Sequence, residues 1–260
     1  MSDLRFSFPA CVIAGKGRIT PDDVLHLRRQ LWPDGLGSRQ EVAMALALHD
    51  CCPVSCPEWT GYLIESVTAY VVWHESRSGE VSGSTAGWLL EWLADAGAIR
   101  TSAGLDILLH VLDVATSVPN FLSTTALNQL RLALLPEPRG AYAGRRSGAA
   151  GITKQDLAFL WRVLRSAVDR GHLNLSRAER LILKEIDRLG APAEHHPGWR
   201  EMMSLTEMVA QDRSLSTAAC RLSRGAEGAA LPRDRARNPQ AAAMAPDRDL
   251  EPSLLASAGA

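Results

Sequence analysis

The chain has 260 residues, of which 46% are apolar and 22% charged, and its formal net charge is −1. This length allows one large hydrophobic core or two small ones. The near-neutral charge excludes a general attraction to nucleic acid or anionic membranes, so such binding would need a local patch. No apolar run approaches the roughly 20 residues of a membrane helix, and residues 1–16 lack a signal-peptide pattern. We therefore predict a cytoplasmic protein with an N-terminal extension over 1–16.

The apolar spacing predicts nine helices. In chain order they lie near residues 21–32, 38–50, 57–75, 82–96, 102–116, 119–135, 153–169, 176–189 and 197–212, each with apolar side chains three or four positions apart. No segment shows the alternating, β-branched pattern of a strand between turn residues. The sequence therefore predicts an all-α fold.

Several of these helices have a clear start signal. Thr20-Pro21-Asp22-Asp23 places a capping hydroxyl before a proline and two carboxylates. Ser38-Arg39-Gln40-Glu41 and Ser176-Arg177-Ala178-Glu179 are predicted capping boxes, in which hydroxyl and carboxylate each accept a hydrogen bond from the other residue's backbone N–H. Thr153-Lys154-Gln155-Asp156 is a close variant. These signals fix where the predicted helices begin.

Three of the start signals recur in the same order, which indicates an internal duplication. Residues 17–31 match 151–164, Ser38 to Glu41 match Ser176 to Glu179, and Pro57-Glu58-Trp59 matches Pro197-Gly198-Trp199. Capped amphipathic hairpins can also look alike for physical reasons alone, but three ordered matches favour a repeat. A shorter theme, in which a glycine turn leads to a β-branched residue and a hydroxyl, recurs near residues 79–82 and 97–101. We predict an array of helical hairpins that stack because each is too small to bury its apolar face alone.

The domain prediction follows from this repeat and from composition. A first helical unit is expected over 17–135, a linker rich in Pro, Gly, Ala and Arg over 136–151, and a second, shorter unit over 152–213. Residues 214–260 have few large apolar side chains, so burial cannot offset the entropy cost of ordering them. We predict that this tail is disordered.

Several segments resemble a family of bacterial all-helical proteins that has no established reaction. The resemblance rests on Leu27-Arg28-Arg29 with Asp34-Gly35, on Pro57-Glu58-Trp59 and the helix ending at Val72, on 105–109 and 115–119, and on the second copy up to about residue 205. The Asp-Gly turn before a capped helix is also similar to the TerB-like, tellurite-resistance proteins. The central turn departs from the pattern, because Ala96-Gly97-Ala98 stands where an aspartate–glycine pair is expected. The resemblance implies an all-helical fold and assigns no functional residues.

The candidate metal site is formed by His49, Cys51, Cys52 and Cys56. One imidazole and three thiols are ligand types for zinc or an iron–sulfur cluster. The spacing is unfavourable, because there is no C-x-x-C pair and the second unit has Asp187 in place of His49 and no cysteines in that loop. A reactive or redox thiol and a variable loop of small side chains are the alternatives.

The remaining cysteines, Cys11 and Cys220, stand alone near the two ends of the chain. An odd total of five, with three bunched together, is not typical of a disulfide framework. We expect all five to be reduced thiols, and we predict no cofactor.

Two further ligand classes find weaker support. The acidic residues after Asp34 and Asp169 do not have the spacing of a calcium loop. Nucleic-acid binding could use the arginine pairs at 28–29 and 145–146, or a helix carrying Arg177, Arg180 and Lys184. Because acidic residues alternate with the basic ones on that helix, a solvated surface is the simpler interpretation.

Catalysis has no sequence support. The chain has no nucleophile elbow, phosphate-binding loop, dinucleotide fingerprint or paired-histidine zinc motif. His195 and His196 are interpreted as exposed linker residues, and Trp59, Trp73, Trp88, Trp92 and Trp161 as core. We therefore predict a non-enzymatic scaffold or adaptor that binds a protein partner. A metal- or redox-sensing protein that uses the 51–56 loop and a weak nucleic-acid-binding protein are the alternatives, and the oligomeric state is not predicted.

Overall fold

Capped helix starts organise the molecule as the sequence predicts. In a computed structural model that describes residues 7–75, 78–169, 172–190 and 194–206, the hydroxyls of Thr20, Thr153 and Ser176 each accept a hydrogen bond from the backbone N–H three residues on. In return, the carboxylate at that third position accepts from the backbone N–H of the capping residue. Each motif is therefore a complete capping box.

The fold is all-α, and helices cover each of the nine predicted regions. The helices, in chain order, are α1 Phe8–Lys16, α2 Pro21–His26, α3 Arg39–Cys51, α4 Pro57–Ala69, α5 Gly83–Leu93, α6 Ser102–Val114, α7 Asn120–Ala133, α8 Lys154–Leu164, α9 Arg177–Leu189 and α10 over 197–206. Helices α2 and α4 continue into wider π-helical turns at Leu27–Leu31 and Tyr70–His74. A 3₁₀ turn, Arg165–Ala167, follows α8. The rest of the predicted last helix and the predicted tail lie outside the described residues.

Three short strand pairs close turns between helices. Arg18–Ile19 (β1) pairs in parallel with Val54–Ser55 (β2). Ala94–Asp95 (β3) pairs antiparallel with Ala98–Ile99 (β4), and Val168–Asp169 (β5) with His172–Leu173 (β6). The sequence analysis did not predict them, because a two-residue strand is too short to show an alternating pattern.

Backbone hydrogen bonds divide α2 to α10 into three helical triplets. In the first triplet, α2–α4, the Cys56 N–H donates to Ile19 O at 3.1 Å, so the start of the third helix returns to the start of the first. The His196 N–H donates to Ile152 O at 2.8 Å in the last triplet, α8–α10. In the middle triplet, α5–α7, Val81 and Ser117 make the corresponding contact at 2.9 Å, with Val81 as the donor. The shorter theme noted in the sequence is thus the middle member of a series.

Neighbouring triplets stack in a regular way. The third helix of one triplet packs along the second helix of the next, α4 on α6 and α7 on α9. One continuous hydrophobic core runs through all three, from Ala10 on α1 to Met202 on α10. The stacked array is therefore one compact body over the described residues. The boundaries proposed for the linker at 136–151 and for the second unit stay a prediction.

The first residues differ from the expectation of an extension. Phe8–Lys16 forms a helix that buries Ala10 and Ile13 and ends at Gly17 in the left-handed conformation, with φ +63°. Pro9, within the first two helical positions, was the available sequence signal. The helix was missed because its other apolar side chains, Phe8 and Val12, face outward and blur the periodicity.

Two details of the predicted helices are also corrected. The Glu41 carboxylate accepts from the Gly37 N–H at 2.7 Å rather than from Ser38, because the turn through Gly35, with φ +84°, brings the earlier amide to it. Trp73 and Trp161 are about half exposed rather than buried in the core. Trp73 lies in the second π-helical turn, which shifts the register of the apolar face and lays the indole over Gly79.

None of the described helices combines the length and the hydrophobicity that a membrane span requires.

Candidate functional site

An aromatic cluster lies beneath the turn that joins α2 to α3. Trp32 follows the first π-helical turn and is 2% exposed. Its ring stacks on Trp59 at 6.4 Å and on Tyr62 at 6.2 Å between centroids, with the interplanar angles below 30°. Trp59 and Tyr62 both project from α4. These stacked rings anchor the turn Trp32-Pro33-Asp34-Gly35 on α4 and hold its shape.

A groove of about 420 Å³ opens beside this turn. Its lining combines apolar, aromatic and cationic side chains, namely Leu25, Arg28, Arg29, Trp32, Pro33 and Tyr62, with Gly35 at one edge. Leu25 is 48% exposed although it is a large aliphatic residue. Solvent-exposed apolar surface next to fixed cations is a feature of binding grooves.

The two arginines at the groove have no acidic partner in the described part of the chain. The Arg28 guanidinium lies 5.4 Å from the centre of the Tyr62 ring, a cation–π contact, and makes no hydrogen bond or ion pair with a described residue. Arg29, one residue on, is exposed and makes no side-chain hydrogen bond or ion pair with a described residue. The groove is therefore lined by two guanidinium groups without a carboxylate partner in the described structure.

One of the residues that line the groove has a buried hydrogen-bond donor without an acceptor. The indole Nε1–H of Trp32 is buried and has no hydrogen-bond acceptor among the described residues. A buried polar group without a partner costs about 1–3 kcal/mol. The Tyr62 hydroxyl is also buried without a hydrogen-bond partner among the described residues, and burial raises the pKa of Tyr62.

A second groove of about 220 Å³ lies on the other side of Gly35. Acidic and polar residues dominate its lining: Asp34, Gly35, Leu36, Glu65, Ser66, Ala69, Tyr70 and His74. Because Gly35 borders both grooves, they form one surface along α4, with cationic groups at one end and carboxylates at the other.

A hydrogen-bonded network makes the floor of this second groove rigid. Arg39 donates to both oxygens of Glu75, from Nε at 2.6 Å and from Nη2 at 2.8 Å. The Tyr70 and Thr85 hydroxyls also donate to Glu75, at 2.9 and 2.6 Å. The Arg39 hydrogen bond is the main cause that lowers the pKa of Glu75 to about 2. Since Thr85 belongs to α5, the network ties the first triplet to the middle one.

The side chains of the predicted metal site do not converge on a common point. His49 Nδ1 accepts from the Trp59 indole N–H at 3.3 Å, Cys52 is buried against Ile13 O at 3.7 Å, and Cys51 is exposed. No three metal-binding side chains come together among the described residues. Burial is the main cause that raises the pKa of Cys52 and Cys56, which disfavours the reactive thiolate.

Three of the basic residues considered for nucleic acid bind groups within the protein. Arg145 pairs with Asp106 at 2.8 Å, and Arg146 with Asp156 at 3.1 Å. Arg180 donates to Leu175 O at 2.7 Å. Of the predicted arginine pairs, only the one at 28–29 is left with open guanidinium groups in the described structure.

The two neighbouring histidines differ from each other in burial. His195 is 9% exposed, and its Nδ1 accepts from the Ile152 N–H at 3.0 Å. The expectation of an exposed linker residue was therefore wrong for His195, because it closes the last triplet. His196 is exposed. His195 Nε2 is buried and has no hydrogen-bond partner among the described residues.

Sequence reasoning missed the groove. Arg28 and Arg29 were noted only as possible nucleic-acid ligands, and Trp32 and Tyr62 were not assigned a role. The available signal was Trp32-Pro33-Asp34-Gly35, a turn sequence that begins with a large aromatic residue. The stacking that makes it a site requires α4 to pack alongside, which no local pattern reveals.

Comparison of the chain with protein families, with curated proteins and with solved structures found no match.

Proposed function

We propose that the protein is a non-enzymatic adaptor that binds a protein partner at the surface formed by the two grooves along α4. The observation that carries this proposal is the pair of open guanidinium groups, Arg28 and Arg29, beside exposed Leu25 in a pre-formed groove. By contrast, Arg145 is paired with Asp106 and Arg162 with Asp113.

The architecture supports the same proposal. Stacked helical units present a rigid, extended surface whose turns can vary without disturbing the core, and such arrays are widely used to bind proteins. The aromatic stack and the Arg39–Glu75 network make the α4 surface rigid before binding, which lowers the entropy cost of association. The proposal includes the cytoplasmic location predicted from the sequence.

Affinity capture with tagged full-length chain from native cells tests this proposal. Three forms are compared: the wild type, the groove variant Arg28→Glu/Arg29→Glu, and the control Arg177→Glu/Arg200→Glu. The control residues are exposed on the last triplet, and the control changes the net charge by the same amount. We expect a stoichiometric partner with the wild type and the control, and its loss with the groove variant.

Two results would contradict the proposal. Capture of nothing above background by any form would remove the support for an adaptor. A partner retained equally by the groove variant would place the binding surface elsewhere. Circular dichroism of each variant establishes whether it is folded, so that a loss of binding is not confused with a loss of structure.

A further inference from the structure

We infer that the groove beside Trp32 recognises an acidic segment of the partner, in which carboxylates flank an aliphatic side chain. This inference rests on the proposed function and adds the chemistry of the ligand. It is carried by the charge and shape of a surface defined by Leu25, Arg28, Arg29, Pro33 and Tyr62.

The cationic end selects for carboxylates. The guanidinium of Arg28 lies over the Tyr62 ring, and a guanidinium presents its N–H groups as a planar fork that matches a carboxylate. Arg29 places a second fork at the adjacent position, and neither has a carboxylate partner in the described structure. Two cations without a carboxylate partner in the described structure are the electrostatic complement of an acidic peptide.

The apolar part selects for an aliphatic side chain. Leu25 and Pro33 are both exposed at the groove, and they offer surface without hydrogen-bonding groups. Burying one leucine side chain against such a surface contributes about 1.5–3 kcal/mol.

The same geometry argues against a nucleic acid as the occupant. Bases stack on open aromatic faces, but Trp32 is 2% exposed and the Tyr62 face is covered by Arg28. The neighbouring groove carries Asp34 and Glu65, which would repel a phosphate backbone. A short acidic segment needs to contact only Arg28 and Arg29 at the cationic end of this surface.

The last triplet supplies an internal comparison for this inference. Arg162 occupies the position in the repeat that matches Arg29, and its Nε donates to Asp113 at 2.7 Å. Asp113 also accepts a hydrogen bond from Arg165 through its backbone oxygen. A protein carboxylate therefore already binds the arginine at this repeat position in one triplet. In the first triplet the corresponding arginine is open.

Fluorescence anisotropy with synthetic peptides tests the inference on the full-length chain. The probe is a short labelled peptide in which Asp and Glu alternate with Leu. Matched peptides replace the acids by Lys, or the leucines by Ser. We expect binding of the acidic peptide that weakens about tenfold or more with either peptide change and with Arg28→Glu/Arg29→Glu, and that weakens with added salt. The Arg177→Glu/Arg200→Glu control should bind as the wild type does.

Charge reversal gives a positive readout that a misfolded variant cannot mimic. The groove variant should bind the Lys-containing peptide better than the wild type does. Equal binding of the acidic peptide by the wild type and the groove variant would overturn the inference. If the capture experiment still shows a groove-dependent partner in that case, the proposed function stands and only the acidic ligand is wrong.

The chain's own C-terminal segment is a competing occupant. Residues 247–255 carry three carboxylates and three leucines. The test uses a full-length variant with Asp247, Asp249 and Glu251 changed to Lys. If the acidic peptide binds this variant much more tightly than the wild type, the tail fills the groove, which would overturn the inference of a separate partner. Equal affinity supports it.

Discussion

The first and last triplets use the same contacts in different environments. In both, an aspartate at the third position of the opening helix caps that helix and binds a cation. Asp23 binds Lys16, with side-chain exposures of 11% and 46%, whereas Asp156 binds Arg146 with 0% and 7%. The same motif is therefore a surface pair at one end of the array and a buried one at the other.

The tryptophan near the start of the third helix also makes the same contact in both triplets, but with a different acceptor. Trp59 donates its indole N–H to His49 at 3.3 Å, and Trp199 donates to Asp187 at 2.7 Å. The tryptophan is present in both triplets, but its acceptor is the His49 imidazole in the first and the Asp187 carboxylate in the last. The difference shows that the repeat preserves the geometry of a contact while its chemistry changes, so equivalent substitutions should have unequal effects.

Loss of the cation gives the largest expected difference. Arg146→Met should cost about 3–5 kcal/mol of unfolding free energy, because Asp156 would be left charged and fully buried. Lys16→Met should cost at most about 1 kcal/mol, since that pair is partly exposed. Urea denaturation followed by circular dichroism measures both. Similar costs for the two variants would show that burial does not distinguish the pairs.

The second-largest difference in stability is expected for the carboxylates at the start of the second helix of each triplet, Glu41 on α3 and Glu179 on α9. Glu179 is 4% exposed and accepts from the Ser123 hydroxyl at 2.6 Å and the Ser176 N–H at 2.7 Å. Glu179→Gln should cost about 1.5–3 kcal/mol, because the amide turns an N–H₂ group toward one of those donors. Glu41→Gln should cost less than about 1 kcal/mol, because Glu41 lies at the surface. The same denaturation assay applies, and a larger loss for Glu41→Gln would break the comparison.

The third difference depends on pH. Burial lowers the pKa of His49 below its ordinary value of 6.5, so the unfolded chain takes up a proton there before the folded chain does. Stability should therefore fall as the pH drops below about 6.5, and the slope should decrease in His49→Gln. Thermal unfolding at a series of pH values from about 7.5 to about 5, which brackets the ordinary histidine pKa, measures this slope.

The Glu75 network gives a separate pH window for comparison. Its carboxyl has a pKa lowered from 4.5 to about 2, so the stability it contributes is present above pH 4.5 and is lost as the pH falls toward 2. Acid sensitivity between pH 6.5 and 5 that persists unchanged in His49→Gln would show that other groups cause it.

The smallest stability effect concerns the arginines that match each other in the repeat. Arg162→Gln should cost about 0.2–1 kcal/mol, because its pair with Asp113 is partly exposed. Arg29→Gln should leave the denaturation midpoint unchanged but weaken partner capture. A destabilised Arg29→Gln would indicate that this side chain supports the fold instead.

The helices were predictable because their signals are local. A hydroxyl, a carboxylate three residues later and apolar side chains at helical spacing specify α2, α8 and α9 without reference to the rest of the chain. The ordered match of start signals also related the first triplet to the last, although it was interpreted as a repeat of helical hairpins. The middle triplet appeared only as a shorter theme. At the third position of its first helix, Thr85 stands where the other two triplets have an aspartate, so its start signal is harder to recognise in the sequence.

The groove was not predictable because it depends on contacts between distant segments. Nothing local distinguishes Arg29 from Arg162; the difference is whether Asp113 lies within reach. The burial of Tyr142 and Arg146, in the segment predicted as a linker, also depends on contacts outside that segment. Both side chains donate hydrogen bonds to Asp156 at the start of α8, a contact that no local sequence pattern shows. Such partners emerge only when the triplets stack.

The hydrogen bond that closes each triplet makes the far turn the natural place for insertions. Because Ile19 and Ile152 are each joined to the start of the triplet's third helix, a longer turn between the first two helices adds loop entropy without moving the closure. The last triplet has such an insertion, and its extra residues form the β5–β6 hairpin. The first triplet keeps the short turn from Trp32 to Gly35, which forms part of the proposed binding groove. Ligand preference can therefore evolve by lengthening or replacing one turn while the stacked core stays intact.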